Sequence, residues 1–152
     1  MNNSIPTNES IVDTLYVLLR GELSAVESYD KALPTLEEKE ANVADDLKRC
    51  RASHEARVER LRAAIVQMGG EPSRAAGAWG LFATAATATS KVLGWKAVIG
   101  TLEEGEDHGL AEYKEALPRL DLGTQRLVSD ELYPQQVHTH SVLSSLKRIA
   151  KS

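Results

Sequence analysis

The feature that most constrains the fold of this chain is an internal repeat. Residues 21–36 read GELSAVESYDKALPTL and residues 105–120 read GEDHGLAEYKEALPRL, and seven of the sixteen aligned positions are identical. The offset is 84 residues without a gap, and it continues into the next segment, where His54 aligns with His138. Average composition would give roughly one match by chance. We therefore interpret the two segments as copies of one structural unit.

Apolar residues recur at helical spacing through both copies, for example Ile11, Leu15, Leu18, Ala25, Tyr29 and Leu33 in the first. This periodicity predicts four helices, over residues 8–34, from 36–40 to 68, 92–117 and 124–149. Gly69 and Gly70 are expected to end the second helix, and Pro134 is expected to kink the fourth. The short connections within each copy predict two antiparallel hairpins.

The hairpin repeats, residues 8–68 and 92–150, are separated by a predicted crossover at 69–91. More than twenty residues can run back along the whole length of a bundle. Two hairpins joined by one long crossover form the ferritin-like variant of the four-helix bundle. The sequence therefore predicts one all-α domain over residues 1–152, with a pseudo-twofold axis relating the hairpins.

Composition excludes several classes of function. Lys and Arg total 18 against 22 Asp and Glu, so no nucleic-acid-binding surface is expected. A single cysteine, Cys50, excludes an internal disulfide and is typical of a reducing cytoplasm. No signal peptide is recognisable at the start, and the uncharged segment 75–90 is shorter than a membrane span. We expect a cytoplasmic protein without membrane contact. A homodimer through an apolar helix face is expected, although no face is identified.

Polar residues interrupt the apolar faces at equivalent positions of the two copies. Glu22 and Glu106 lie on the inward stripes of the first and third helices, and His54 and His138 lie on those of the second and fourth. Glu131, seven residues before His138, is expected to face inward as well. A carboxylate inside a core costs several kcal/mol unless a cation or a metal neutralises it. These residues are therefore candidate metal ligands.

Arg51 and Gln135 lie three residues before the two histidines, where a di-iron bundle would place glutamates. Arg51 is also one of several basic residues in the second helix that we interpret as a solvated face: Lys48, Arg49, Arg51, Arg57, Arg60 and Arg62. His140 lies two residues after His138 and so points to the opposite side of the helix. We assign the core position to His138 because it is the duplicated residue.

The run Thr-Leu-Glu-Glu-Gly-Glu-Asp at 101–107, followed by Tyr113 and Ala116-Leu117 and preceded by Gly94-Trp95, resembles an uncharacterised bacterial family of ferritin-like four-helix-bundle proteins. That family is a domain of unknown function. The resemblance implies the fold and an ancestral metal site, but no substrate. It matches Glu22, His54, Glu106 and His138 to ligand positions of ferritin-like proteins, and Arg51 and Gln135 depart from that pattern.

Three hypotheses for function follow. In the first, Arg51 neutralises the carboxylates and the polar layer is a relic, completed by Tyr29, Tyr113 and Gln135. In the second, two glutamates and two histidines bind one iron, zinc or manganese ion, with Glu131 as a fifth ligand. The third is a di-iron oxidase or an iron store. The sequence favours the first, a non-enzymatic and stress-associated structural or interaction protein with no cofactor.

Overall fold

A computed structural model describes residues 5–72 and 94–151 of the chain. All regular structure in these two ranges is helical, and neither contains a strand. The helices are α1 (Asn8–Lys39), α2 (Ala41–Gln67), α3 (Trp95–Ala116), a 3-10 turn (Leu117–Arg119), α4 (Leu122–Leu127), a π-helical turn (Val128–Leu132) and α5 (Tyr133–Lys151). We call α4, the π-helical turn and α5 together the fourth helix. The prediction of an all-α four-helix bundle is confirmed.

The ends of α1 and α2 follow local sequence signals, with one exception. Thr7 caps α1, because its side-chain oxygen accepts a hydrogen bond from the Ser10 amide at 3.1 Å. Gly69, with φ of 81°, follows the end of α2 as predicted. The exception is the end of α1, which the sequence predicts at residue 34: Pro34 lies inside the helix, and α1 continues to Lys39. The helix continues because Ala32 and Leu36, on either side of Pro34, are fully buried in the core.

The helices pack as two hairpins. A single residue, Glu40, separates α1 from α2, and the two helices pack against each other along their length. In the same way α3 packs against α5, and α1 of the first hairpin contacts α3 of the second. The predicted crossover is described only to residue 72, so most of it and the uncharged segment 75–90 lie outside the described residues. No helix within the described ranges has the length and apolar character needed to span a membrane.

Within residues 5–72 and 94–151, the apolar core consists of two clusters. One is formed by the first half of α1, the second half of α2, the end of α3 and the π-helical turn, with Leu15, Leu61 and Leu132 fully buried. The other contains the opposite end of the bundle, with Leu36, Leu47 and Leu143 fully buried. Buried polar side chains lie between these clusters, in the middle of the bundle.

The fourth helix differs from its counterpart α2 by the π-helical turn at Val128–Leu132. Such a turn accommodates one extra residue in an α-helix, and it commonly occurs where the hydrogen-bond ladder is interrupted. Here Pro134, which has no amide hydrogen, lies two residues after the end of the turn. Beyond the turn, the residue equivalent to His54 is therefore 85 positions later rather than 84.

Candidate functional site: a buried polar cluster

Eight polar side chains from all four helices meet in the middle of the bundle. We call this set the polar cluster, and its members are Glu22, Tyr29, His54, Arg57, Glu106, Tyr113, Gln136 and Thr139. None of them is more than 4% exposed. The structure thus brings together five of the residues predicted from the sequence, and it adds three that were not predicted.

The two copies of the repeat exchange hydrogen bonds across the bundle. The Tyr29 hydroxyl of α1 donates to Glu106 Oε1 of α3 at 2.7 Å, and the Tyr113 hydroxyl of α3 donates to Glu22 Oε1 of α1 at 2.7 Å. Burial raises the pKa of both tyrosines well above 10, and the neighbouring glutamates raise it further. Both phenols therefore stay protonated as donors. Each hydrogen bond thus joins a tyrosine of one repeat to the glutamate of the other.

His54 lies between the two carboxylates. Its Nδ1 is 2.6 Å from Glu22 Oε2, and its Nε2 is 2.6 Å from Glu106 Oε1. An imidazole can donate from both nitrogens only when it is protonated. Burial alone would lower the pKa of His54, but the charges of Glu22 and Glu106 outweigh burial and raise it. We therefore treat His54 as an imidazolium ion.

Arg57 supplies the second positive charge. Its side chain is completely buried, and its Nη1 donates to Glu22 Oε1 at 3.2 Å. The same nitrogen donates to Gln136 Oε1, and Nη2 donates to Thr139 Oγ1 at 3.1 Å. Arg57 therefore links the first hairpin to the fourth helix.

The charges of the cluster balance. Burial raises the pKa of Glu22, but His54 and Arg57 outweigh that effect, and the net pKa is lowered. Burial likewise opposes ionisation of Glu106, whose pKa is nevertheless lowered by His54. Two carboxylates thus face one imidazolium and one guanidinium ion. Every buried side-chain nitrogen and oxygen of the described residues has a hydrogen-bond partner.

The fourth helix contributes neutral groups rather than the predicted histidine. Thr139 Oγ1 and Gln136 Nε2 each donate to Glu106 Oε2 at 2.8 Å. The predicted His138 and Gln135 are exposed. Their assignment to the core is wrong because the π-helical turn moves the inward positions of α5 by one residue.

Two further predicted positions are also corrected. Arg51 does not reach the cluster, because its Nε donates to Asp30 and its Nη1 donates to Glu55 at 2.8 Å, near the surface. Glu131 is exposed and accepts a hydrogen bond from Arg60 at 2.9 Å. Arg57 takes the neutralising role that the sequence assigned to Arg51.

The prediction that Arg57 lies on the solvated face of α2 is wrong, because its side chain is fully buried. A weak signal for this position is present in the sequence. The buried positions of α2 alternate at spacings of three and four residues: Leu47, Cys50, His54, Arg57 and Leu61. Arg57 thus continues the inward stripe. The residue type argued against that position, because arginine is rarely fully buried unless it is paired.

A second group near the surface also combines carboxylates with a histidine. His140 Nε2 lies 2.5 Å from Asp107 Oδ1 and 4.0 Å from Glu103 Oε1, close enough for the three to share a metal ion. Glu103 is also paired with Lys147, whose Nζ lies 3.0 Å from Glu103 Oε2. His140 therefore faces α3 and takes no part in the polar cluster.

The polar cluster does not fit a di-iron centre. Such a centre takes a glutamate from each of two helices and a Glu-x-x-His pair from each of the other two. Here α1 and α3 supply Glu22 and Glu106, but the one side chain of metal-ligating type that α2 supplies to the cluster is His54. The fourth helix supplies the amide of Gln136 and the hydroxyl of Thr139. Three side chains of metal-ligating type remain.

Fold and cluster together define an all-α four-helix-bundle protein with a charge-balanced core of glutamate, histidine and arginine. Residues 10–119 match a family described as a domain of unknown function (DUF2383), and the chain belongs to this family. The matched range includes six of the eight cluster residues and ends before Gln136 and Thr139. Comparisons with characterised proteins and with solved structures give no match.

Proposed function

We propose that this protein is a non-enzymatic four-helix-bundle protein of ferritin-like descent, in which its own cations take the place of a core metal. The observation that carries the proposal is the complete burial of Arg57 beside Glu22. The repeated hairpins and the reciprocal tyrosine–glutamate pairs support ferritin-like descent.

A buried guanidinium ion disfavours a metal at the same level of the bundle. Arg57 is permanently charged, and repulsion between cations is strong where water is excluded. Its fork also uses hydrogen-bond acceptors on Glu22, Gln136 and Thr139. A metal ion would have to compete for the same carboxylate and overcome this repulsion.

In this proposal the polar cluster determines how the hairpins pack. Apolar contacts tolerate small shifts between helices, whereas a network of directional hydrogen bonds is satisfied in one arrangement only. Arg57 connects α2 to α5, and His54 connects α2 to both α1 and α3. Such a core suits a structural or interaction protein that presents a defined helical surface.

Metal analysis tests this proposal. The protein is expressed in medium supplemented with iron and zinc, purified without chelator and analysed for metal. We expect far less than equimolar metal, and no change in melting temperature when iron, zinc or manganese is added. The double variant Glu22→Gln/Glu106→Gln serves as the comparison, because glutamine keeps the shape of both side chains and removes their charge.

The second candidate is a protein that binds one divalent cation through Glu22, His54 and Glu106. It is favoured by one observation: Glu22 Oε2 and Glu106 Oε1 each lie 2.6 Å from a ring nitrogen of His54. The two carboxylates contact opposite edges of the imidazole, so a shared ion would require one of them to move. Binding would require His54 to lose a proton, so the affinity would rise with pH. Equimolar metal that is lost in the double variant would establish this candidate and refute the first. Equimolar metal lost instead in His140→Ala would indicate the surface group with Glu103 and Asp107.

The assembly state separates both candidates from an iron store. A ferritin-type store needs a closed shell of many subunits, whereas we propose a homodimer at most. Light scattering after size-exclusion chromatography gives the mass directly. A shell-sized particle that retains iron would refute the non-enzymatic proposal.

A further inference from the structure

A cavity of about 250 Å³ lies between α1 and α3 and extends to the polar cluster. Small side chains line the two helices where they face each other, including Gly21, Ala25 and Ser28 of α1 and Gly105 and Gly109 of α3. The missing side chains of Gly21 and Gly109 leave room for Glu112 and Gln136, which line the same cavity. The cavity therefore depends on small residues in both α1 and α3.

The volume of the cavity and its apolar walls indicate the size and the apolar character of the ligand that it could hold. An apolar cavity of roughly 150 Å³ binds benzene, so this one has room for a single ring with a substituent of a few atoms. Val17 and Leu18 of α1 and Leu102 of α3 supply apolar wall. These contacts suit an aromatic or compact aliphatic group.

The floor of the cavity offers acceptors rather than donors. Both nitrogens of His54 and both tyrosine hydroxyls are engaged with glutamates. Glu22 Oε1 accepts bonds from Tyr113 and Arg57, whereas Glu22 Oε2 accepts one bond, from His54. A carboxylate oxygen can accept two hydrogen bonds. Glu22 therefore keeps capacity for one more donor.

A second carboxylate, that of Glu112, lines the same cavity and lies against α1. A Cβ atom on Gly21 would be only 2.7 Å from Glu112 Oε1, so the missing side chain of Gly21 makes room for this carboxylate. Burial raises the pKa of Glu112, and the charge of Glu22 adds to that effect, although His108 and Arg20 oppose it. Arg20 and His108 line the same cavity, and His108 Nε2 lies 3.3 Å from Glu112 Oε1. A positive ligand group would be a further partner for this carboxylate.

We infer that this cavity is a binding site for a small organic cation of the amine or amidine class. Its apolar body lies against Val17, Leu18 and Leu102, and its N–H groups donate to Glu22 and Glu112. This inference goes beyond the proposed function, because the polar cluster keeps its structural role whether or not the cavity is filled.

Benzamidine is a suitable probe, and benzamide is its neutral counterpart of nearly the same shape. Isothermal titration calorimetry with the full chain is expected to show benzamidine binding and much weaker benzamide binding. Glu112→Gln should weaken benzamidine binding roughly tenfold or more, the order expected for a lost hydrogen bond to a charged group. Glu104→Gln removes an exposed charge on the same helix that does not line the cavity, so it is the matched control and should leave the affinity unchanged.

Ala25→Leu provides an independent test, because the larger side chain would occupy the cavity without removing a charge. Circular dichroism and the melting temperature establish that this variant is folded before it is titrated. Loss of benzamidine binding in Ala25→Leu and Glu112→Gln together supports the site. The inference is overturned if benzamidine does not bind the wild-type chain, if benzamide binds equally well, or if Glu112→Gln binds benzamidine as the wild type does.

Discussion

The role of Arg57 in the core can be tested by replacing it with methionine. Arg57→Met keeps an unbranched side chain of similar length and good helix propensity, but it removes the guanidinium ion. Glu22 would then retain only His54 and Tyr113 as partners, and Gln136 Oε1 would lose the donor that it has in the wild type. The change therefore leaves carboxylate charge only partly compensated in the interior.

Removing one partner of a buried ion pair costs about 3–5 kcal/mol in proteins. Because Arg57 is completely buried and also bonds Gln136 and Thr139, we expect a loss of unfolding free energy in this range. Typical domains have about 5–15 kcal/mol in total. The variant should therefore still fold, but with a clearly lower denaturation midpoint.

Arg51→Met is the matched control. Arg51 is also on α2 and also pairs with carboxylates, but its side chain is 30% exposed and its partners Asp30 and Glu55 are more exposed still. Exposed ion pairs contribute about 0–1 kcal/mol. Urea denaturation followed by far-ultraviolet circular dichroism measures both variants on the same scale.

A third variant separates lost charge from lost packing. Adding Glu22→Gln to Arg57→Met removes the carboxylate that the arginine neutralised, and His54 then balances Glu106. We expect the double variant to regain about 0.5–3 kcal/mol, the range of coupling energies between contacting residues. The charge-balanced description of the core is wrong if Arg57→Met lowers the unfolding free energy no more than Arg51→Met does. It is also wrong if the losses caused by Glu22→Gln and Arg57→Met simply add in the double variant.

Three more predictions follow from the cluster. Gly109→Ala should lower the unfolding free energy by about 1–3 kcal/mol, because its Cβ would lie 2.5 Å from Gln136 Nε2. Gly100→Ala on the same helix would place its Cβ in open space and should raise the unfolding free energy by up to about 1 kcal/mol. Equal effects of the two substitutions in urea denaturation would contradict this prediction. The melting temperature should be highest between pH 4.5 and 6.5. The pKa of Glu22 and Glu106 is lowered in the folded protein, so their contribution to stability is complete above pH 4.5 and is lost in acid. The pKa of His54 is raised, so its contribution to stability is complete below pH 6.5 and is lost in alkali. A pH scan that shows no alkaline decline would argue against a protonated His54. Thr139→Val should lower the unfolding free energy by about 1–3 kcal/mol, because it removes a buried hydroxyl that is hydrogen-bonded to Arg57 and Glu106. His138→Ala should change the unfolding free energy by less than about 0.5 kcal/mol. If His138→Ala were the more destabilising of the two, His138 rather than Thr139 would face the core.

The repeat and its periodicity were enough to predict the all-α bundle and part of its polar centre. Glu22 and Glu106, and likewise Tyr29 and Tyr113, are equivalent positions of an ungapped repeat on amphipathic helices. Their inward orientation follows from a period of 3.6 residues, which is a local property of the chain. No knowledge of the partner helix is needed to predict it.

The register of the fourth helix was decided by the tertiary structure. The aligned repeat placed His138 and Gln135 in the core, whereas the structure places Thr139 and Gln136 there. The difference of one residue arises at the π-helical turn before Pro134. Such a turn is stabilised by what packs around it, so the spacing of residues in the sequence does not reveal it.

The partner of the buried carboxylates was also decided only in three dimensions. Arg51 and Arg57 have the same side chain and lie on the same helix, six residues apart. Arg51 meets Asp30 and Glu55 at the surface, whereas Arg57 meets Glu22, Gln136 and Thr139 in the interior. Burying an arginine is favourable only where groups from other helices satisfy its charge and its donors. Those groups are brought together by the packing of the bundle, and a helical period cannot show which residues they are.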